Sequence, residues 1–356
     1  MESFLVAVNA VVPFLCYITF GYVMKIKGVV KEDFLQQLNK MVFKVFYPFM
    51  TFYNIYKADA SSLPRPVMLI FCGVSILVLE VILVLTVPRL VKENPRRGVI
   101  IQAIYRSNFV LFGLPLTVSV FGDVASSVAA MVVTVVITIY NTTSVVILEM
   151  FNSEGKTDVK TILVNVVKNP LLQGAMVGLV FFFLGIHVPK SLLTPIAAFA
   201  DATSPVALFV LGGTLHFNAI RGNLKYLVPA LSLKLLVLPA VMLALGYAFG
   251  LRDLELFLLV AIYGTPVAAA SYPMAQNMGG DGELAGQFVV ISTVVAVGTL
   301  FGWIFFMKSV GRISSIFFST IFLIRPPSRM REPFSGFTYI VRSGPKLKMF
   351  SPAAFL

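Results

Sequence analysis

Apolar runs of about 20 residues, the length a helix needs to cross roughly 30 Å of hydrocarbon, recur from the first residues of this chain to about Met307. Nothing else in the sequence constrains the fold as tightly, because inside a bilayer only helices and closed barrels pair every backbone group. Reading the apolar runs against turn and charge signals places spans near residues 4–24, 40–57, 67–88, 98–121, 126–150, 164–186, 196–217, 226–250, 255–277 and 284–307. Of 356 residues, 58% are hydrophobic and 12% charged, and the mean hydropathy is +0.90. That balance leaves almost nothing for a soluble domain. The expected class is an all-α polytopic membrane protein of ten transmembrane helices.

The formal net charge of +12 would suit nucleic acid only if it were gathered on one patch. Instead Lys25, Lys27 and Lys31, then Arg89, Lys92, Arg96 and Arg97, then Lys156 and Lys160, then Arg221 and Lys225 fall in short loops on one side. The opposite loops hold few cations, among them Arg65, Lys190 and Arg252. The positive-inside rule makes the first side the cytoplasm and puts both termini outside the cell membrane. Residues 4–24 read as a first span rather than a signal peptide, since their positive flank is on the far side and no small-residue cleavage site follows. Cys16 and Cys72 lie within apolar runs and are expected to pack; no cofactor or metal is expected.

Two stretches interrupt the apolar pattern, RSNFVLFGLPLTVS from Arg106 and YGTPVAAASYP from Tyr263. Pro115 falls in the fourth span and Pro266 in the ninth, so each sits in the fourth of five spans. The cluster Asn141-Thr142-Thr143 follows Pro115 at the distance at which Ser292-Thr293 follows Pro266. Five spans per half is an odd number, so two such halves enter the membrane from opposite sides and form an inverted repeat. The expected organisation is a first repeat over 1–150, a short cytoplasmic linker over 151–163, a second repeat over 164–310 and a basic, poorly ordered tail over 311–356.

Proline removes a backbone donor and clashes with the preceding turn, and Gly113 and Gly264 relax the backbone two residues earlier. Helices 4 and 9 are therefore expected to break near mid-membrane and to cross. Two half-helix N-termini at the crossing, each with unsatisfied N–H groups, make a site for an anion. With the fourth span starting near Gly98, Arg106 lies roughly 12 Å deep at ~1.5 Å per residue; it either snorkels or serves the site. Asn108 is two turns before Pro115, and Asn54 and Asn141 are uncharged candidates for a binding cavity. Glu80 reads either as a proton-coupling carboxylate or as a structural partner of Arg89 near the cytoplasmic rim. Glu149 and Lys234, close to span ends, are expected to snorkel.

The stretches RSNFVLFGLPL at Arg106, YNTTSVVILE at Tyr140, NPLLQGAMVGLV at Asn169, TSPVALFVLGGTL at Thr203 and TPVAAASYPMA at Thr265 resemble, in order and spacing, those of the auxin efflux carrier family. The resemblance covers about residues 1–308. It implies ten helices in two inverted repeats, a division into scaffold and transport domains, and alternating-access transport of an organic anion such as malonate, malate or an auxin-like acid. It carries substrate contact to Asn108, the crossover prolines to Pro115 and Pro266, and a polar fifth-helix position to Asn141; Gly113 and Thr265, close to those prolines in the chain, are also expected in the substrate site. Hormone-exporting plant members have a long hydrophilic loop between the halves and a glutamine after the ninth-helix proline. This chain has a short linker and Val267, which points away from auxin itself. The partners implied are the bilayer, a small organic anion, a coupling proton or sodium ion and a second copy of the chain in a homodimer, with no nucleic acid.

An enzyme is not expected. Gly279-Gly280-Asp281 lacks a second buried aspartate for a dyad, His187 and His216 fall at opposite faces, and no H-E-x-x-H occurs. A sodium-coupled bile-acid-type symporter of the same crossover architecture and a non-transporting membrane sensor are the competing readings.

Overall fold

A computed structural model describes residues 2–57, 65–122, 124–152, 159–215, 220–310, 339–342 and 347–350. Through residue 310 the described chain is helical, with α1 (Glu2–Ile26), α2 (Glu32–Met41), α3 (Tyr47–Tyr56), α4 (Pro66–Leu90), α5 (Asn94–Tyr105), α6 (Leu114–Phe121), α7 (Val124–Met150), α8 (Val159–Lys168), α9 (Pro170–Leu184), α10 (Lys190–Thr214), α11 (Ile220–Ser232), α12 (Leu238–Ala248), α13 (Asp253–Gly264), α14 (Ser271–Asn277) and α15 (Gly282–Ser309). Among the described residues, five helices are long and apolar enough to cross a membrane unaided: Pro66–Leu90, Met131–Met150, Lys190–Thr214, Ile220–Ala248 and Gly282–Ser309. A sixth candidate, Ile162–Lys168 with Pro170–Leu184, is bent by 62°. The span expected over 164–186 falls on this bent pair. Pro170 biases Asn169 towards extended backbone (ψ 126°), and the Asn169 side chain then accepts from Leu171 N to cap α9.

Prolines shape the other helices by a different route. Five-residue π-helical turns occupy Val42–Phe46, Phe109–Gly113 and Leu233–Val237, and each precedes a helix with proline second, at Pro48, Pro115 and Pro239. A proline in an α-helix orphans and crowds the carbonyl four residues back. A π-turn inserts one residue into the ladder and so relieves that clash without ending the helix. Gly113 accordingly keeps helical dihedrals (φ −67°, ψ −44°), and Pro115 is exposed. The expectation that the fourth span unwinds at Gly113 and Pro115 is therefore corrected: it breaks upstream, at Arg106, Ser107 and Asn108.

The helices sort into two packed groups. In the first, α1 packs on α10 and α3 packs on both α9 and α10. Small residues let these backbones approach closely: a Cβ added to Gly178 of α9 would lie 3.0 Å from Phe52 O of α3, and one added to Gly212 of α10 would meet the backbone of Ile18 in α1. In the second group, α4 to α7 pack with α11 to α15, and α15 also packs against α1 of the first group. Residues Phe318–Leu356 form a separate unit, in which β1 (Tyr339–Arg342) and β2 (Leu347–Phe350) pair antiparallel, Tyr339 opposite Phe350. Apart from these strands, the expected poorly ordered tail over 311–356 lies outside the described residues, as does His216.

Candidate functional site

Two helix interruptions meet in the second group. After α5 the chain turns extended at Arg106 (φ −81°, ψ 115°), and after α13 it turns extended at Thr265 (φ −77°, ψ 160°). Ser107 and Val267 then pair as an antiparallel bridge. Asn108 N donates to Pro266 O at 2.8 Å and Ala268 N donates to Arg106 O at 3.4 Å. A neighbouring helix supplies a side chain to each break. Asn141 of α7 accepts from the Arg106 guanidinium at 2.7 Å, and Ser292 Oγ of α15 accepts from Val267 N at 3.0 Å. Tyr140 Oη donates to Ile262 O at 3.5 Å, the carbonyl that Pro266 leaves without a helical partner. Buried backbone groups that would cost several kcal/mol each in hydrocarbon are in this way answered by the opposite break or by a neighbouring helix.

A cavity of about 380 Å³ opens beside the crossing, between the two helix groups. Its first wall comes from α1, α3 and α10 and includes Tyr47, Asn54, Lys57 and Asp201; its second includes Arg106, Asn108, Asn141 and Ala268 to Ala270. Phe109 to Leu111, the start of the second half-helix, also line it, so first-turn N–H groups without an intrahelical acceptor lie at its wall.

Arg106 is 4% exposed. One arm of its fork bonds Asn141 and the other Met274 Sδ. Among the described residues, no carboxylate oxygen lies within 4.0 Å of it. The alternative that Arg106 snorkels is thereby corrected. Tyr47, 1% exposed, places its phenol near the same guanidinium, and its hydroxyl has no hydrogen-bond partner. On the far side of Ser107, Lys234 is fully buried; its Nζ donates to Ser107 Oγ at 2.7 Å and Ile104 O at 3.4 Å. Lys234 does not snorkel as the sequence reading held, because its helix begins at Ile220 and the residue sits well inside it. A guanidinium and a buried amine thus flank the bridge. A buried guanidinium beside the start of a half-helix and a phenol hydroxyl with no hydrogen-bond partner among the described residues forms a donor-rich pocket suited to an oxyanion.

Of the residues singled out from sequence, Asn54, Arg106, Asn108 and Asn141 line this one cavity. Pro266 takes part through its carbonyl, and Thr265 is buried beside it with its hydroxyl donated to Ala261 O at 2.8 Å. Gly113 and Pro115 are outside the lining. Glu80 of α4 is also elsewhere, buried, accepting from Thr143 at 2.6 Å, and is not paired with Arg89, whose guanidinium bonds Leu85 O. Glu149 is half-buried near the end of α7 and accepts from Asn165 at 2.9 Å. Tyr47, Lys234 and Asp201 were missed. Tyr47 hides in the aromatic run YPFMTFYNIY, and Asp201 shares its span with two prolines but no second charge after Lys190. Among the described residues, no group of three His, Cys, Asp or Glu is placed to hold a metal ion.

The family described as "Membrane transport protein" matches residues 6–304. An uncharacterized transporter of Methanothermobacter thermautotrophicus is 23% identical over 302 residues, covering 84% of this chain and 98% of that protein. An uncharacterized transporter of Methanocaldococcus jannaschii is 24% identical over 312 residues, covering 84% and 99%. A Rhizobium meliloti protein named "Putative malonate transporter" is 29% identical over 147 residues, covering 40% of this chain and 44% of its own length.

Proposed function

The chain belongs to the membrane transport protein family, the auxin efflux carrier family its motifs resemble, and we propose that it is a secondary carrier moving a small organic carboxylate by alternating access. It is a multi-pass membrane transporter and not an enzyme. In this reading α1, α2–α3, α4, α5–α6 and α7 are five spans, and α8–α9, α10, α11–α12, α13–α14 and α15 are five more in inverted order. The termini lie outside the cell membrane. The matched use of Asn141 and Ser292, each serving the break in the preceding span, supports the repeat.

The observation that carries the substrate class is Arg106, buried at a cavity wall without a carboxylate partner and with a phenol beside it that has no hydrogen-bond partner. A cation in this position is costly until an anion neutralises it. With Lys57 on the outer end of α3 lining the cavity, the site faces outward. The opposite face is closed by the Arg96–Asp281 ion pair at 3.0 Å and by Asp281 N donating to Pro95 O at 3.1 Å. Movement of the α4–α7 and α11–α15 group against the α1, α3, α9 and α10 group would carry the crossing from one face to the other.

Malonate is the first ligand to test, given the partial likeness to the Rhizobium protein. Purified protein is titrated with malonate, and flux of radiolabelled malonate is followed in liposomes. Arg106→Ala and Asn108→Ala are expected to abolish saturable binding and flux while the protein remains folded. Normal binding and flux in both variants would show that the anion sits elsewhere.

A further inference from the structure

We propose that Glu80 is a proton-binding site whose charge is linked to that of the Arg106 cavity, so that a proton accompanies the anion; the linkage rests on the function proposed above. Glu80 is 5% exposed, in the membrane-spanning helix α4. Among the described residues no lysine or arginine nitrogen lies within 4.0 Å of it. Its hydrogen-bond partner is the hydroxyl of Thr143, at 2.6 Å. The titratable groups facing it from the packed elements are phenols: Tyr105 of α5, Tyr140 of α7 and Tyr263 of α13, the last bonded to Ser75 of α4 at 2.6 Å.

The hydroxyl of Thr143 has one proton and three claimants. Its oxygen is 2.6 Å from Glu80 Oε1, 2.8 Å from Ile139 O and 3.4 Å from Tyr105 Oη, and Tyr105 Oη is 2.6 Å from Ser144 Oγ. When Glu80 is ionised, Thr143 must turn its proton towards the carboxylate. When Glu80 is protonated, it donates to Thr143, and Thr143 donates to Ile139 O as threonine commonly does within a helix. Both arrangements satisfy the polar atoms without moving the backbone, so the cluster accepts and releases a proton drawn from solvent at little structural cost.

One segment of α7 ties this cluster to the cavity. Tyr140 and Asn141 line the cavity, while Thr143 and Ser144 contact Glu80 and Tyr105. Tyr105 immediately precedes Arg106, and its ring stands edge to face with Tyr140 at 5.7 Å. A negative charge arriving at Arg106 disfavours a second one at Glu80, so anion binding promotes protonation.

The test is infrared difference spectroscopy of the full chain in lipid, without ligand, as pH is changed. A protonated-carboxyl band that disappears with rising pH is expected in the native protein and absent from Glu80→Gln. In Thr143→Ala, where the carboxylate loses its donor, the band should persist to higher pH. In Arg106→Gln, where the cation beyond Tyr105 is gone, it should also persist to higher pH. Adding malonate to weakly buffered native protein should draw up to one proton per chain from solution, and Glu80→Gln should draw none. Identical pH difference spectra for native protein and Glu80→Gln would overturn the proton site, and a band unmoved by Arg106→Gln would overturn the linkage. Failure of malonate to bind would count against the carboxylate reading alone, because the ligand-free spectra decide Glu80 separately.

Discussion

Replacing Tyr47 by phenylalanine should move stability and ligand affinity in opposite directions. The phenol is 1% exposed, lies near Arg106 at the cavity wall, and its hydroxyl has no hydrogen-bond partner. A buried unsatisfied polar group costs ~1–3 kcal/mol. Tyr47→Phe removes it with little change of shape, so the ligand-free protein should melt at a higher temperature, by up to that free energy. If the hydroxyl instead awaits the carboxylate, it contributes a hydrogen bond to a charged group, ~1.5–3 kcal/mol. At ~1.4 kcal/mol per tenfold, its loss weakens binding by about 10- to 150-fold. Thermal melting without ligand and calorimetric titration with malonate measure the two effects on the same preparation. A variant that melts lower than native, or that binds malonate as tightly, would refute the claim that this hydroxyl is held in reserve for an anion.

Ser292→Ala strips Val267 N of its acceptor inside the crossing and should cost ~1–3 kcal/mol, read as a lowered melting temperature. Lys234→Met removes a fully buried amine with its bonds to Ser107 Oγ and Ile104 O and should leave melting nearly unchanged, since the loss of those bonds is offset by the relief of the buried group's desolvation. It should weaken malonate binding, because Lys234 Nζ bonds Ser107, the residue next to Arg106 in the crossing; unchanged affinity would dismiss Lys234 as part of the site's field. Trp303→Phe takes from Leu235 O the Nε1 donor at 2.9 Å that stands in for the N–H missing at Pro239. Melting should fall by ~1–3 kcal/mol, and restoring a backbone donor with Pro239→Ala should recover part of it. Gly178→Leu forces apart α3 and α9, where even a Cβ would sit 3.0 Å from Phe52 O; a loss of several kcal/mol is expected, of the order seen for overpacking or more, ~1–3 kcal/mol, checked by yield and melting in detergent.

Polar residues in an oily run have few physical explanations, and for that reason Arg106, Asn108, Asn54 and Asn141, which line one cavity, were legible as candidates before any geometry. Which peptide breaks was not. A proline's effect is exerted on the carbonyl one turn back, and the chain answers it by interruption at Pro266, by a π-turn before Pro115, and by neither at Pro205 and Pro229, which lie inside unbroken α-helices; periodicity in sequence does not distinguish these outcomes. Lys234 was misplaced because an apolar window starts where residues become hydrophobic. The helix starts earlier, at Ile220, through the polar turn RGNLKY. Tyr47 carried no signal at all, since its hydroxyl matters only through the position of Arg106 on another helix. The same holds for Ser292, whose echo of Asn141 in spacing became informative only when each was seen to serve its own break.

The contrast among the prolines says why the crossing belongs to both halves together. Before Pro48, Pro115 and Pro239 the preceding residue stays helical, with ψ of −40°, −56° and −47°, and a π-turn upstream takes up the strain. Before Pro170 and Pro266 the preceding residue is extended, with ψ of 126° and 160°. An extended residue in a membrane needs new partners for the backbone groups it frees. Asn169 supplies one from its own side chain, whereas Thr265 spends its hydroxyl on Ala261 O, so the stretch after it must find partners elsewhere. It finds them in Asn108 N, Arg106 O and Ser292 Oγ, while Tyr140 answers Ile262 O just before it. The break at Arg106 likewise needs Pro266 O and Ala268 N. Neither interruption is tolerable alone in hydrocarbon. Each half can therefore keep its broken helix only when the other is docked against it, and the donor-rich wall of the cavity exists as a consequence of that docking.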